Sequence, residues 1–397
     1  MAVRNMAVLY GSRSCEHDVS VVSAVQWMAA ADPAKYNVIP VYLAHDGGWY
    51  TGASLRKLET YRSFDPARQD LTRVLPDLSA NACELIEYAP KAKLFGGGSG
   101  RKVVARIDVA VPIFHGLNGE DGSIQGVLEL MNVPYTSSGL VGSAVGMDKI
   151  AMKQLFMGCG FPVLESVWFC RDAWEKDPKE ALDSVEKAFA YPCFVKPANL
   201  GSSIGIGKAT DRATLQTALE VAFSYDRRVL VEPSVEKPIE VNCSVMGFGS
   251  EITPSVCEMP VSWEEFLTFE EKYIAGNQKG AKGGMANLKR QIPAPIDERL
   301  TEQIQALSCA IFRALDCKGV VRIDFLLERE GERLFVNEIN TIPGSMAFYL
   351  WDAMGISYPQ LIDRLVALAD RAHQEKNRAT FAFDSKILQS VQLGVKG

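Results

Sequence analysis

The sequence predicts an α/β protein of two or three units, on three observations. At 397 residues the chain is too long for one ordinary core. Short apolar runs rich in Val and Ile alternate with segments of helical period from the amino end onward. Near the carboxyl end, residues 321–344 read as a hairpin with one apolar and one polar face. Hydrophobic content of 47% and charged content of 23% are those of a soluble globular enzyme. A net charge of −6 excludes nucleic-acid binding through bulk charge. Nine scattered cysteines without a C-x-x-C pair, and only four histidines, suggest neither a zinc site nor a disulfide framework, and fit a reducing cytoplasm. The amino-terminal apolar run is too short for a signal peptide, and no run approaches membrane-spanning length.

Met6 to Tyr10 predicts the first strand, followed by a loop and a helix that starts near Glu16, with Val19, Val22, Ala24 and Val25 as its buried stripe. Val38 to Leu43 is the next strand. In such a β-α-β unit ligands meet the carboxyl edge of the sheet, where Glu16 stands as either a ligand contact or a first-turn cap. From Asp46 to Arg106 the pattern is irregular, apart from a hairpin over Glu84 to Ile107 turning through Gly96 to Gly100. Asp108 to Phe114 is a buried strand that runs into His115-Gly-Leu-Asn-Gly-Glu-Asp-Gly, a loop shaped for close backbone approach. His115 is either a hydrogen-bonded loop residue or part of a site. A helix over Ile124 to Met131 and a short strand at Val133 to Tyr135 end this unit.

Asp148-Lys149 opens a further helix, and Phe194 to Pro197 is a strand that carries Lys196 into a Gly/Ser loop, 198–208. A lysine beside such a loop offers a point charge plus exposed N–H groups, which suits phosphate. Gly201 to Gly205 matches G-x-S-x-G, but the only later histidine is His373 in a polar helix, so a nucleophile elbow is rejected. Gly205 to Lys208 has the spacing of neither a P-loop nor a dinucleotide fingerprint. Glu232 and Glu240 lie on the next two strands, where a carboxylate can hold a ribose; either alone would be a surface residue.

Residues 272–290 carry five basic residues and four glycines with no acid, read either as a solvated loop or as a lid over polyphosphate. An amphipathic helix, Leu300 to Leu315, leads into the hairpin. With its turn centred on Gly331, Arg322 falls opposite Asn340 and Asp324 opposite Glu338, all on one face. Facing carboxylates repel unless a cation lies between them. Two carboxylates and an amide with room for phosphate suit Mg²⁺; the alternative is a polar face on which Arg322 neutralises Asp324. Ile323, Phe325, Leu327, Phe335 and Ile339 fill the other face, and a helix runs from Pro359 to Arg371.

Nine ordered motifs, EHDVS (16–20), HGLNGEDGSIQGVLEL (115–130), PYTSSG (134–139), MDK (147–149), FVKP with GSSIG (194–205), KPIEVN (237–242), KY (272–273), RIDF (322–325) and NEINTIPG (337–344), resemble the D-alanine:D-alanine ligases over roughly residues 3 to 372. That resemblance implies the three-domain ATP-grasp fold, here cut as 1–136, a Rossmann-like substrate domain, 137–232 and 233–397. It implies ATP-dependent joining of two D-alanines through an acyl phosphate, in cytoplasmic cell-wall precursor synthesis, by a homodimer. It further implies that Lys149 and Lys196 contact ATP phosphates, that Ser202 and Ser203 lie in the phosphate loop, that Glu232 and Glu240 belong to the adenine and ribose pocket, and that Lys272, which also faces ATP, joins Tyr273, Arg322 and Tyr349 in binding substrate. Asp324, Glu338 and Asn340 would hold two Mg²⁺ ions, with Mn²⁺ as a substitute. Arg322 and the Gly344 N–H would stabilise the oxyanion, Glu16 would take the first ammonium, and His115 would sit near its carboxylate.

Ser202 and Tyr273 complete the implied catalytic set with Glu16. Two departures are visible. Tyr349 stands where many members have a serine that holds the second substrate's carboxylate, and the basic segment exceeds the shortest family lids. Lys272-Tyr273 matches dipeptide-forming members, so a D-alanine:D-serine ligase is the nearer competitor, ahead of D-lactate use. A regulator without catalysis is the other alternative, against which the intact Arg322, Asp324, Glu338 and Asn340 argue.

Overall fold

The computed structural model describes residues 2–88, 101–260, 290–328, 333–381 and 385. Three sheets follow one another along the chain. The first combines β1 (Arg4–Gly11), α1 (His17–Ala30), β2 (Tyr36–Leu43), β3 (Trp49–Thr51), α2 (Glu59–Arg62), β4 (Thr72–Pro76), β5 (Glu84–Glu87), β6 (Val103–Arg106) and β7 (Val109–Ile113). Its order is β6-β5-β4-β3-β2-β1-β7, with β1 parallel to β2 and β7 and every other pair antiparallel. The segment 46–106, expected to be irregular outside one hairpin, therefore supplies four strands; they are short, so the apolar alternation that marks a longer strand has no length in which to show. The Glu84 hairpin forms as β5 and β6, and its glycine turn lies outside the described residues. Tyr135 makes only an isolated bridge to Ala110, not the expected strand.

α1 buries Val19, Val21, Ala24, Trp27 and Met28, while Val22 and Val25 are half-buried, so the buried stripe is rotated from the expected one. α3 (Ser123–Met131), α4 (Leu140–Met147) and α5 (Lys149–Gly158) connect to the second sheet. Asp148 caps α5, its carboxylate accepting from the N–H groups of Ile150 and Ala151 at 3.1 and 3.0 Å. The second sheet has β8 (Val167–Cys170), β9 (Cys193–Pro197), β10 (Gly207–Ala209) and β11 (Arg228–Pro233) in the order β10-β9-β11-β8, all antiparallel. It is covered by α6 (Arg171–Lys176), α7 (Pro178–Ala188) and α8 (Arg212–Tyr225).

The third sheet, β14-β13-β12-β15-β16, joins β12 (Pro238–Phe248), β13 (Glu251–Pro260), β14 (Arg290–Gln291), β15 (Gly319–Glu328) and β16 (Leu334–Asn340), with α9 (Glu298–Ala314) packed on β12 and β13. β15 and β16 pair in the expected register at Arg322↔Asn340 and Asp324↔Glu338. Beyond Asp324 the register shifts to Phe325↔Val336 and Leu326↔Phe335, which leaves Asn337 as the extra residue of a β-bulge. The bulge gives the buried places to Leu334 and Val336, so Phe335, expected in the core, is half-exposed instead. After Gly344 the chain makes a short 3₁₀ turn, then α10 (Phe348–Asp352) and α11 (Tyr358–Asn377). α11 returns to the first sheet, where Leu361, Leu365 and Val366 share one core with Trp27, Val38 and Val109.

Candidate active site

Strand periodicity builds the centre of the site. Glu258 on β13 pairs with Asn242 on β12, Asn242 with Asp324 on β15, and Asp324 with Glu338 on β16. Four residues distant in sequence thus form one polar row across four strands. One step along, Arg322 lies between Ser244 and Asn340. Arg322 holds Asp324 bidentately, Nε to Oδ1 and Nη2 to Oδ2 both at 2.6 Å, and Asn340 Nδ2 donates to Asp324 Oδ2 at 3.0 Å. Burial raises the Asp324 carboxyl, Arg322 lowers it, and Glu240 and Glu338 raise it again, with a net value of about 7. Glu240 therefore acts on the row itself; Asn242 Nδ2 donates to it at 3.1 Å.

Arg322 neutralises Asp324, as the second alternative for the hairpin has it, yet the pair is buried and still burdened with negative charge. Each carboxylate keeps further lone pairs when Arg322 is bound. Hard oxygen donors under mutual repulsion fit Mg²⁺. Among the described residues there is no group of three or more His, Cys, Asp or Glu placed to hold a metal ion; the candidate donors here are two carboxylates and the amide of Asn340.

The second sheet brings lysines to this row. Lys149, at the start of α5, donates to the Leu200 carbonyl and lies 3.6 Å from Glu338. Lys196 donates to Asn337 Oδ1 at 3.3 Å, so the bulged residue of β16 meets the lysine at the end of β9. Lys196 also pairs with Glu232, whose other oxygen is 2.6 Å from Lys153. Burial raises the Glu232 carboxyl, but Lys153 and Lys196 outweigh it and hold the group at about 2. Glu232 is thus a buried anion ion-paired with two lysines. Asp148 is ion-paired with Arg228.

The loop after β9 reaches the first sheet. Ser202 and Ser203 are both left-handed, at φ 52° and 61°, and the Ser202 hydroxyl donates to Glu16 Oε1. Glu16 is buried and caps nothing with its side chain, so the capping alternative fails. A Cβ at Gly201 or at Gly116 would lie 2.8 Å from Glu16 Oε2 and would push that carboxylate aside, and Gly116, at φ 78°, also has the left-handed backbone that favours glycine. His115 is buried, with Nε2 3.1 Å from Ser23 Oγ; burial and then the charge of Arg322 push its imidazole down to about 4, so it is neutral at pH 7. Gly344 opens a turn in which Ser345, Met346 and Ala347 all have φ between 47° and 56°. The Ser23 hydroxyl accepts from the Ser345 N–H at 3.3 Å, tying α1 to that turn.

Tyr349 donates to Glu258 Oε1 at 2.7 Å, and burial pushes its phenol up. The expected lid pair, Lys272 and Tyr273, lies outside the described residues. Of the expected residues, Glu16 and Ser202 meet between the first two sheets, His115 lies between α1 and Arg322, and Lys149, Lys196, Glu338, Asp324, Asn340 and Arg322 gather between the last two sheets. Sequence reasoning missed Lys153, Glu120, Asn242, Glu258 and Arg290. Lys153 follows Lys149 by one helical turn, a readable signal. Glu120 stands inside the HGLNGEDG loop; its buried carboxyl accepts from the N–H groups of Gly116 and Ile342 at 3.2 and 3.1 Å, and burial, Glu16 and Glu338 raise it to about 8 despite them.

Two family models match the chain, "D-ala D-ala ligase N-terminus" over residues 5–138 and "D-ala D-ala ligase C-terminus" over residues 155–367. The D-alanine–D-alanine ligase of Geobacillus thermodenitrificans is 38% identical, over 96% of this chain and 99% of that protein. That of Thermosipho africanus is 36% identical, over 96% and 98%. Among solved structures, the D-alanine-D-alanine ligase from Coxiella burnetii superposes with a TM-score of 0.76 at 27% identity, covering 95% of this chain and 97% of that one. The VanG D-Ala:D-Ser ligase from Enterococcus faecalis gives 0.76 at 28%, covering 93% and 100%.

Proposed function

The chain belongs to the D-alanine–D-alanine ligase family, and on that premise we propose that it joins two D-alanines at the expense of ATP, through an acyl phosphate. The observation that carries this reading is the meeting of Arg322, Asp324, Glu338 and Asn340 with Lys149 and Lys196 on one side of the buried polar row.

In this reading Lys149 and Lys196 neutralise the ATP phosphates, and the left-handed Ser202-Ser203 turn supplies backbone N–H groups to them. Glu16, oriented by Ser202, binds the ammonium of the first D-alanine, and neutral His115 stands beside its carboxylate. Asp324, Glu338 and Asn340 would hold two Mg²⁺ ions, which supply charge neutralisation to the transferring phosphoryl group. Attack by the first carboxylate on the γ-phosphorus forms the C–O–P bond and releases ADP. The amine of the second D-alanine then attacks the acyl carbon, and phosphate leaves. Arg322 and the Gly344 N–H stabilise the oxyanion between those steps. Glu232, paired with two lysines, holds Lys153 and Lys196 in place beside the adenine, and Glu240, at the edge of the row, takes the ribose hydroxyls.

The three sheets support division into units at 1–136, 137–232 and 233–397, with α11 folded back onto the first. Exposed Leu130, Leu140 and Val141 on α3 and α4 offer an apolar surface for a homodimer. Among the described residues no helix is long and apolar enough to cross a membrane.

The test is phosphate release from Mg-ATP with D-alanine alone, with added D-serine or D-lactate, and with L-alanine, products being identified by mass. D-alanine alone should suffice. Release only on addition of D-serine would give the chain the activity named for its VanG structural relative. Glu338→Gln should abolish turnover, and near-normal ATP consumption by that variant would remove the metal assignment.

A further inference from the structure

The row that begins at Asp324 ends in a cluster that the proposed mechanism does not use. Glu258, 2% exposed, accepts from Tyr349 Oη at 2.7 Å, from Arg290 Nη1 at 3.0 Å and from Asn242 Nδ2 at 3.3 Å. The Arg290 guanidinium lies over the Tyr349 ring, 3.8 Å from its centroid. Tyr349 in turn is close enough to Arg322 for the two to influence each other's charge, as is Glu258. A second guanidinium is therefore fixed beside the arginine at the reacting carbon.

Resting on the ligase reading, we propose that Arg290, held by Glu258 and Tyr349, anchors the carboxylate of the second D-amino acid. The attacking amine and that carboxylate share one Cα, so the amine cannot reach the acyl carbon beside Arg322 without bringing the carboxylate nearby. Arg322 already spends two donors on Asp324. Lys149 and Lys196 are drawn to the phosphate side by Glu338 and Glu232. Tyr349 commits its proton to Glu258 and its ring face to Arg290, so it acts as the platform and not as the donor. A guanidinium presents five donors in a planar fork, enough to hold Glu258 and a ligand carboxylate together. Stacking on a buried ring restricts that plane before the ligand arrives. Glu258 and Tyr349 are positioning residues for Arg290.

The experiment compares two nucleophiles in the Mg-ATP-loaded enzyme, D-alanine and D-alaninamide. The amide has no carboxylate to activate, so it can react only as the attacking amine. Arg290→Gln should lower kcat/KM for D-alanine as nucleophile by roughly ten- to a hundred-fold, the loss of a charge-assisted hydrogen bond. It should leave D-alaninamide within about twofold of the wild type. Arg290→Lys should recover part of the loss. Tyr349→Phe, which keeps the ring and removes only the bond to Glu258, should raise KM for the nucleophile at unchanged kcat, and serves as the test if Arg290→Gln does not fold. Equal losses with both nucleophiles would make Arg290 structural, and no loss with either would remove it from the site; both overturn the proposal. A wild-type enzyme without D-alanine-dependent phosphate release would instead overturn the ligase reading.

Discussion

Lys153→Met tests the buried Lys153–Glu232–Lys196 arrangement most directly. Glu232 Oε2 lies 2.6 Å from Lys153, and the two side chains are 2% and 4% exposed. With an effective dielectric constant of about 20, charges at that distance attract by about 6 kcal/mol. Removing Lys153 also removes the cost of burying its own ammonium, and Lys196 still faces the carboxylate, so the net destabilisation is about 3 kcal/mol, the lower end for a broken buried pair. Methionine keeps the apolar stem and leaves no cavity to confuse the result. Equilibrium urea denaturation at pH 7 measures it. The acid limb gives a second reading. The folded carboxyl at about 2 lies below its ordinary value of 4.5, so its contribution is complete above pH 4.5 and lost as pH falls toward 2. In the variant the folded value moves up toward 4.5, so the acid-dependent loss should be smaller than in the wild type. A stability within about 1 kcal/mol of wild type, with an unchanged acid limb, would refute the claim that Lys153 is what makes a buried Glu232 tolerable.

Other perturbations follow from the same geometry. Glu120, raised to about 8 and so protonated at pH 7, binds its proton more tightly folded than unfolded; its stabilising share is lost as pH rises through 8. Glu120→Gln should therefore hold its melting temperature between pH 7 and pH 9 where the wild type falls, and parallel curves would contradict the assignment. Ser202→Ala removes the hydroxyl donated to Glu16, and should raise KM for the first D-alanine by about three- to tenfold at unchanged melting temperature. Leu365→Ala, at 1% exposure, should cost about 3 kcal/mol in urea denaturation; a loss below about 1 kcal/mol would mean that α11 is not part of the first core.

The hairpin was legible because strand periodicity alone places Arg322, Asp324, Glu338 and Asn340 on one face, and the structure keeps that register up to Asp324. The bulge was not. Its position depends on Val336, whose N–H donates to the Pro162 carbonyl at 2.7 Å, a contact that no local pattern announces. Glu258 and Asn242 stayed hidden for a related reason: neighbours across a sheet are set by strand order, and each of these residues alone reads as an ordinary polar position on a strand. Glu232 illustrates the opposite case. Its strand and its nearness to the phosphate loop could be read, but its partner Lys153 sits on α5, more than seventy residues earlier, so the ion cluster that the two form with Lys196 could not.

The return of α11 to the first sheet bears on how the chain is made. Trp27, Val38 and Val109 emerge from the ribosome long before Leu361, Leu365 and Val366, which complete their core. Arg4 waits in the same way for Asp370, 2.6 Å away in the finished protein, and Lys35 for Asp363, also at 2.6 Å. During synthesis one face of the seven-stranded sheet is therefore left wet and apolar, while the second and third sheets can close on residues already in hand. The amino-terminal unit, first to be translated, is the last to be finished, and a nascent chain stalled before Tyr358 is the form of this protein that should most need a chaperone.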